Sequence, residues 1–403
     1  MFLRNSSVGN NIERRHFLKQ MCLGMGTLAT SSFLPAVFAQ EEKNTLPEYT
    51  GPNIIIVRFG GGVRRKETIS PQTTYSPFLC HTLSKKGTLF KNMEIAQLDG
   101  VETSHGQGTL FILTGKYEHY EDVDERFLGS RFESPVPTLF EYLRKKYRVP
   151  EYQTLIINGE DRSDEEFYSF SNHPLFGVQY RSTTLSLYRF KTYLLRKQLQ
   201  RNDFPENVYQ EKKELLYKLE SLDLRVDAPG QSFEIEAFWE RWRQFYGESG
   251  LVNPRGDQLL TELSIRALRE LRPKLMMVNY NDPDYVHWGY ASHYTRGISF
   301  MDQGLEKIYC AAEADEYYRN NTIFVIVPDC GRDNNRLMAV PYQHHFGDRT
   351  AHEIFCLVVG PKVPQVKVVD RLVQQVDVAP TLGKFMDFST EFVEGQVLEE
   401  LFV

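Results

Sequence analysis

An apolar run from Lys274 to Val278 leads through a polar turn, Tyr280-Asn281-Asp282-Pro283-Asp284-Tyr285-Val286-His287-Trp288-Gly289. A helical pattern follows, with Tyr294, Ile298, Asp302, Leu305 and Ile308 at close to 3.6-residue spacing. A strand, a turn bearing Asp and His, and then a helix are what an open α/β sheet places at the carboxyl end of a strand, where ligands bind. A carboxylate and an imidazole this close can share one divalent metal such as zinc. The other reading is a turn whose Asp caps the following helix.

Further segments repeat this grammar. Asn53 to Phe59 (NIIIVRF) reads as a first central strand, and Thr109 to Gly115 (TLFILTG) as a helix end. Asn321 to Pro328 (NTIFVIVP) reads as a buried strand running into Asp329-Cys330-Gly331-Arg332. His344-His345 follows, then an apolar run from Glu353 to Gly360, then Gln375 to Leu382, and last Glu394-Gly395-Gln396-Val397-Leu398. In this order the segments resemble the alkaline phosphatase superfamily, which includes sulfatases, nucleotide pyrophosphatases and cofactor-independent phosphoglycerate mutases. The resemblance spans about residues 50 to 400 apart from a middle insertion. It implies an α/β fold with a mainly parallel central sheet sandwiched by helices, formed by residues 40–158 and 258–403. Residues 159–257 would be an inserted, largely helical cap subdomain. That segment carries helical patterns at Leu185 to Leu199, Pro205 to Leu222 and Ser232 to Tyr246. Within it Phe238, Trp239, Trp242 and Phe245 fall on one helix face, which reads first as core packing.

Composition narrows the function classes. A net charge of -6 argues against nonspecific nucleic-acid binding. With 41% hydrophobic and 25% charged residues, the 403-residue chain can bury one large core. The first 39 residues read as an address: Glu13-Arg14-Arg15-His16-Phe17-Leu18-Lys19 resembles a twin-arginine export motif, and the stretch Met21 to Phe38 ends near a small-residue cleavage site. That stretch is too short and too interrupted for a stable membrane span. The expectation is a periplasmic or secreted protein that uses the twin-arginine machinery and is not integral to a membrane once processed. Cys22 lies in the leader; Cys80, Cys310, Cys330 and Cys356 show no metal-type spacing.

Carried onto matching positions, the resemblance implies a metal set of Asp284, His287 and His345, with His344 left as the alternative to His345. Asp329 and Cys330 with His105 are chemically able to hold a second metal or to act as acid-base groups; the other reading is a small buried Cys330 and a capping or core His105. Thr103, Ser104 and His105 stand where the family places its nucleophile, about ten residues before Gly115. Three positions depart from the family: Gly60 where a carboxylate ends the first strand, His105 at the nucleophile, and Cys330 after Asp329. The glycine turn, through Gly61, together with Arg64 and Arg65 could grip an anion there. The expected cofactor is a divalent metal, zinc foremost, in one or two copies. The expected activity is hydrolysis of phosphate or sulfate esters, on a small molecule or a cell-envelope substrate. The alternatives are a ligand-binding protein on a degenerate hydrolase scaffold and a structural envelope protein.

Overall fold

The computed structural model describes residues 46–118, 134–159, 168–201, 203–221, 232–249, 256–334, 337, 340–344 and 348–402. The twin-arginine segment and His345 lie outside the described residues. Leu46–Val403 forms one compact unit.

Among the described residues, nine strands make one sheet: β1 (Asn53–Phe59), β2 (Gly87–Glu94), β3 (Thr154–Ile157), β4 (Thr183–Leu185), β5 (Leu275–Tyr280), β6 (Thr322–Pro328), β7 (Glu353–Val359), β8 (Lys367–Val369) and β9 (Val373–Gln374). Their order is β4-β3-β5-β1-β6-β7-β2-β8, with β9 beside β2. Neighbours run parallel except where β7 meets β6 and β2. The long helices are α1 (His105–Thr114), α2 (Leu139–Lys146), α3 (Leu187–Arg201), α4 (Glu206–Ser221), α5 (Phe233–Tyr246), α6 (Asp257–Leu271), α7 (Ala291–Ala314) and α8 (Val378–Phe385).

Both faces of the sheet are covered, which is why its central strands read as mainly apolar runs. Side chains alternate between the faces. Ile54 and Ile56 pack with α1, α2 and α8, while Ile55, Val57 and Phe59 pack with α3, α5, α6 and α7. Trp239 and Trp242 of α5 are fully buried in the second cluster, so this part of segment 159–257 covers the sheet. Strand β4 of the same segment extends the sheet beyond β3. The three helices expected within the segment form at residues 187–201, 206–221 and 233–246.

Register positions the site. Phe59 stands level with Tyr280 on one side and with Pro328 on the other. The residues that follow these three strand ends, Gly60–Gly62, Asn281–Asp284 and Asp329–Cys330, therefore meet at one carboxyl edge.

Candidate functional site

Asp284 sits on the short 3-10 turn Asp282–Tyr285 that follows β5. One of its carboxylate oxygens, Oδ1, lies 2.6 Å from His105 Nε2, 3.2 Å from His287 Nε2 and 3.8 Å from His344 Nε2. The other, Oδ2, accepts from Asn281 Nδ2 at 3.3 Å. Helix α1 delivers His105: Ser104 caps it by accepting from the Gln107 N–H at 3.2 Å, which places His105 at the first helical position. The helix can come this close because Gly108 packs against the Asp329 carbonyl, where a Cβ would collide. His344 Nδ1 donates to the Thr103 carbonyl at 2.7 Å, and the Thr103 hydroxyl donates back to the His344 carbonyl.

On its other side His105 faces Asp329, with Nδ1 and Oδ2 2.8 Å apart. Asp329 is fully buried and rich in donors. It accepts from the N–H groups of Gly61 (3.2 Å), Gly62 (3.3 Å) and Cys330 (2.7 Å), and Arg58 Nη1 lies 3.7 Å away. Burial alone would raise this carboxyl, but His105 and then Arg58 hold it well below the usual carboxylate range. For His105 burial works downward, yet Asp329 and Asp284 raise the ring well above its ordinary value. His344 is held below its ordinary value by burial and by neighbouring His105. Burial and Asp329 push the Cys330 thiol up to about 11, so it is protonated at neutral pH.

The expected residues thus divide. His105, Asp284, His287, His344, Asp329 and Cys330 come together. Thr103 and Ser104 stand beside them, one committed to His344 and the other capping α1. Gly61 does bind an anion, but the anion is Asp329 itself; its φ of +77° suits a glycine. Arg64 and Arg65 are spent on the protein. Arg64 pairs with both oxygens of Glu67 at 2.9 Å, and Arg65 donates to the carbonyls of Ile354 (2.7 Å) and Met93 (2.6 Å).

Two buried arginines of the site escape a reading by motif. Arg332 donates to the carbonyls of Gly61, Gly62, Pro283, Val286 and Tyr342, tying three loops together. Arg58 donates to Thr109 Oγ1 (2.5 Å) and to the Tyr280 carbonyl (3.1 Å). The signal for Arg58 was present, since a cation within an otherwise apolar central strand must be paired. Gly60 offers no carboxylate, and a Cβ there would meet the Tyr280 carbonyl and the Arg58 guanidinium. Among the described residues, two groups have ligand atoms within 4.8 Å of one another and could hold a metal ion: His105, Asp284 and His344, and His105, Asp329 and Cys330; His287 reaches Asp284 but belongs to neither group. A cleft of about 580 Å³ adjoins the turn, lined among others by Gly159, Asp257, Asp282, Tyr285 and Arg296.

No family model matches the chain, and no curated protein matches it by sequence. Solved structures do. A protein of the alkaline phosphatase superfamily from Vibrio parahaemolyticus superposes with a TM-score of 0.53 at 14% identity, over 88% of this chain and 71% of its own. This chain has the alkaline phosphatase-like fold. The same fold relates it to Ps i-CgsB, crystallised with k-i-k-neocarrahexaose (TM-score 0.54, 15% identity, 86% of this chain and 75% of that one). It also relates it to BT1596, a 2-O GAG sulfatase (TM-score 0.53, 13% identity, 87% and 74%). Within the alkaline phosphatase-like frame, the cluster around Asp284 lies at the carboxyl edge of the sheet, where open α/β sheets bind ligands.

Proposed function

We propose that the protein is a metal-dependent hydrolase of phosphate or sulfate esters. The observation that carries this reading is the convergence of three imidazoles on one Asp284 oxygen at the carboxyl edge of the sheet. Asp284, His287 and His344 suit a divalent metal such as zinc. The His344 Nδ1 proton is used on the Thr103 carbonyl, which leaves Nε2 as the lone-pair side facing Asp284. A metal there would supply Lewis-acid polarisation of the ester.

The remaining work falls to the chain. Ser104 is the candidate nucleophile. Its hydroxyl accepts from Gln107, so its own proton is still available to donate, and it stands at the N-terminus of α1, where the helix dipole favours a developing anion. Thr103 holds His344 in place through both its carbonyl and its hydroxyl. The cleft beside the turn takes the rest of the substrate. Gly159, Gly256 and Asp257, at the two ends of segment 159–257, line it, and this supports substrate selection by that segment. The oligosaccharide crystallised with Ps i-CgsB, together with the 2-O GAG sulfatase BT1596, makes a sulfated carbohydrate a substrate class to try first. The twin-arginine motif at Arg14-Arg15 supports export to the periplasm or beyond.

The test is a screen of zinc-supplemented protein against sulfated oligosaccharides, aryl sulfates, phosphate monoesters and phosphate diesters, with Asp284→Asn and His287→Ala alongside. Turnover that both variants abolish supports the hydrolase. A folded, metal-bound wild type with no turnover on any class would leave the second reading, a binding protein on a hydrolase scaffold. The bare Gly60, with Arg58 packed beside it, is the observation that favours that second reading.

A further inference from the structure

We infer that His105, at the position where the family resemblance expects a nucleophile, is itself a metal ligand. One metal is then held by Nε2 of His105, His287 and His344 with the Asp284 carboxylate, and Asp329 and Arg58 orient His105 in place of a second metal. The inference rests on the metal-dependent reading above and specifies how the metal is held.

The geometry argues for it from both sides. Ligand atoms of a tetrahedral zinc stand roughly 3.3 Å apart, given bonds of about 2.0 Å. The three imidazole nitrogens lie 2.6, 3.2 and 3.8 Å from Asp284 Oδ1, a spread that brackets that edge; the ligand atoms of His105, Asp284 and His344 lie within 4.8 Å of one another, and His287, outside that group, would close in as the fourth ligand. Two of the three rings have the other nitrogen engaged by an acceptor: His344 Nδ1 by the Thr103 carbonyl, and His105 Nδ1 by the Asp329 carboxylate. A carboxylate or carbonyl behind a ligand imidazole fixes its tautomer and its aim, and proteins that bind metals through histidine use this arrangement repeatedly. Asp329 therefore has a task that does not require it to touch a metal.

The competing set, His105 with Asp329 and Cys330, has edges of similar length, 2.8 Å and 3.8 Å from His105 Nδ1, but its carboxylate is already engaged. The Asp329 oxygens are taken by three backbone N–H groups and by His105. The Arg58 guanidinium, 3.7 Å from Asp329, already provides the positive charge on that side. Restoring a carboxylate at Gly60 would drive its Cβ into the Tyr280 carbonyl.

The test measures metal content and coordination as well as turnover. Protein purified without chelator is analysed for metal, then titrated with cobalt(II) by absorption and with zinc by calorimetry. One equivalent with a tetrahedral cobalt spectrum is expected. His105→Ala should remove tight binding. Asp329→Asn should keep the one-to-one stoichiometry while lowering affinity about 10- to 100-fold, the loss typical of an orienting partner. Circular dichroism confirms that each variant is folded; if His105→Ala fails to fold, Asp329→Asn carries the test alone. Two equivalents, or a sulfur-to-cobalt charge-transfer band lost in Cys330→Ser, would overturn the inference while leaving the hydrolase intact. So would undiminished zinc affinity in His105→Ala. One equivalent with the expected variant pattern but no ester turnover would sink the hydrolase and keep the ligand set.

Discussion

Arg58 buries a guanidinium in the middle of the molecule, with only 2% of its surface exposed. Its Nη1 meets Thr109 on α1 and faces Asp329, while Nη2 reaches the Tyr280 carbonyl. Removing one partner of such a pair leaves the other charge buried and less compensated, at a cost of about 3–5 kcal/mol. Arg58→Met should therefore lower stability, measured by urea unfolding, by an amount in that range. Arg58→Lys should not rescue it, because an ammonium cannot reproduce the planar fork; recovery of stability in the lysine variant would refute that role for the guanidinium. The Asp284–His287 pair could be read from the sequence because its spacing is local. The surroundings of Asp329 could not, since Gly61 and Gly62 reach it only through the alignment of β1 with β6. Arg64 and Arg65 were misleading for a related reason: a basic pair after a glycine turn suggests an anion site until Glu67, one helical turn on, is seen to hold Arg64.

At the scale of elements, α1 and α7 each hinge on one polar side chain. Ser104 is both the cap of α1 and the candidate nucleophile, and two substitutions separate these roles. Ser104→Ala should cost about 1 kcal/mol of stability and Ser104→Gly only a few tenths, because glycine is tolerated at that position. A nucleophile would be lost equally in both, so turnover that survives in Ser104→Gly would assign Ser104 to capping alone. On α7, Asp302 accepts from the N–H groups of Phe78 and Leu79 at 2.9 Å each. Burial nevertheless holds its carboxyl up at about 6. The folded value lies above an unfolded value of about 3.9. The ionised form is therefore a burden above pH 6, and the burden lifts as pH falls through 6 toward 4. Wild type should gain stability relative to Asp302→Asn across that window. A difference independent of pH, measured by urea unfolding from pH 7 to 4, would show that Asp302 is not shifted. The helix carrying Asp302 was legible from its 3.6-residue period, but the segment it anchors at Phe78 and Leu79 had no pattern to announce it.

Across the whole molecule, the order of apolar runs and polar turns was enough to foresee the mainly parallel sheet and the carboxyl edge where Asp284 and Asp329 meet. The reversal of β7 was not foreseeable, because an apolar run reads the same in either direction. Segment 159–257 was expected to be helical, and its helices form; its covering of the sheet face through Trp239 and Trp242 depends on packing that no local period reveals. A consequence can be measured. Trp239→Ala should cost about 3–5 kcal/mol, as for a large aromatic removed from a shared core, and unfolding should remain a single transition followed equally by tryptophan fluorescence and by circular dichroism. Two separated transitions would mean that the segment is an autonomous unit.

Strand β1 lies between β5 and β6, so both its neighbours come from the last third of the chain. Until residues 275–280 have been made, NIIIVRF therefore lacks both of its sheet neighbours, and a loop of more than 200 residues must close before the centre of the sheet exists. An apolar segment that waits this long is exposed to self-association and to holding chaperones. The architecture that brings Gly61, Asp284 and Asp329 to one edge thus also delays maturation until β5 and β6 have been made, and that edge and the middle of the sheet must appear together.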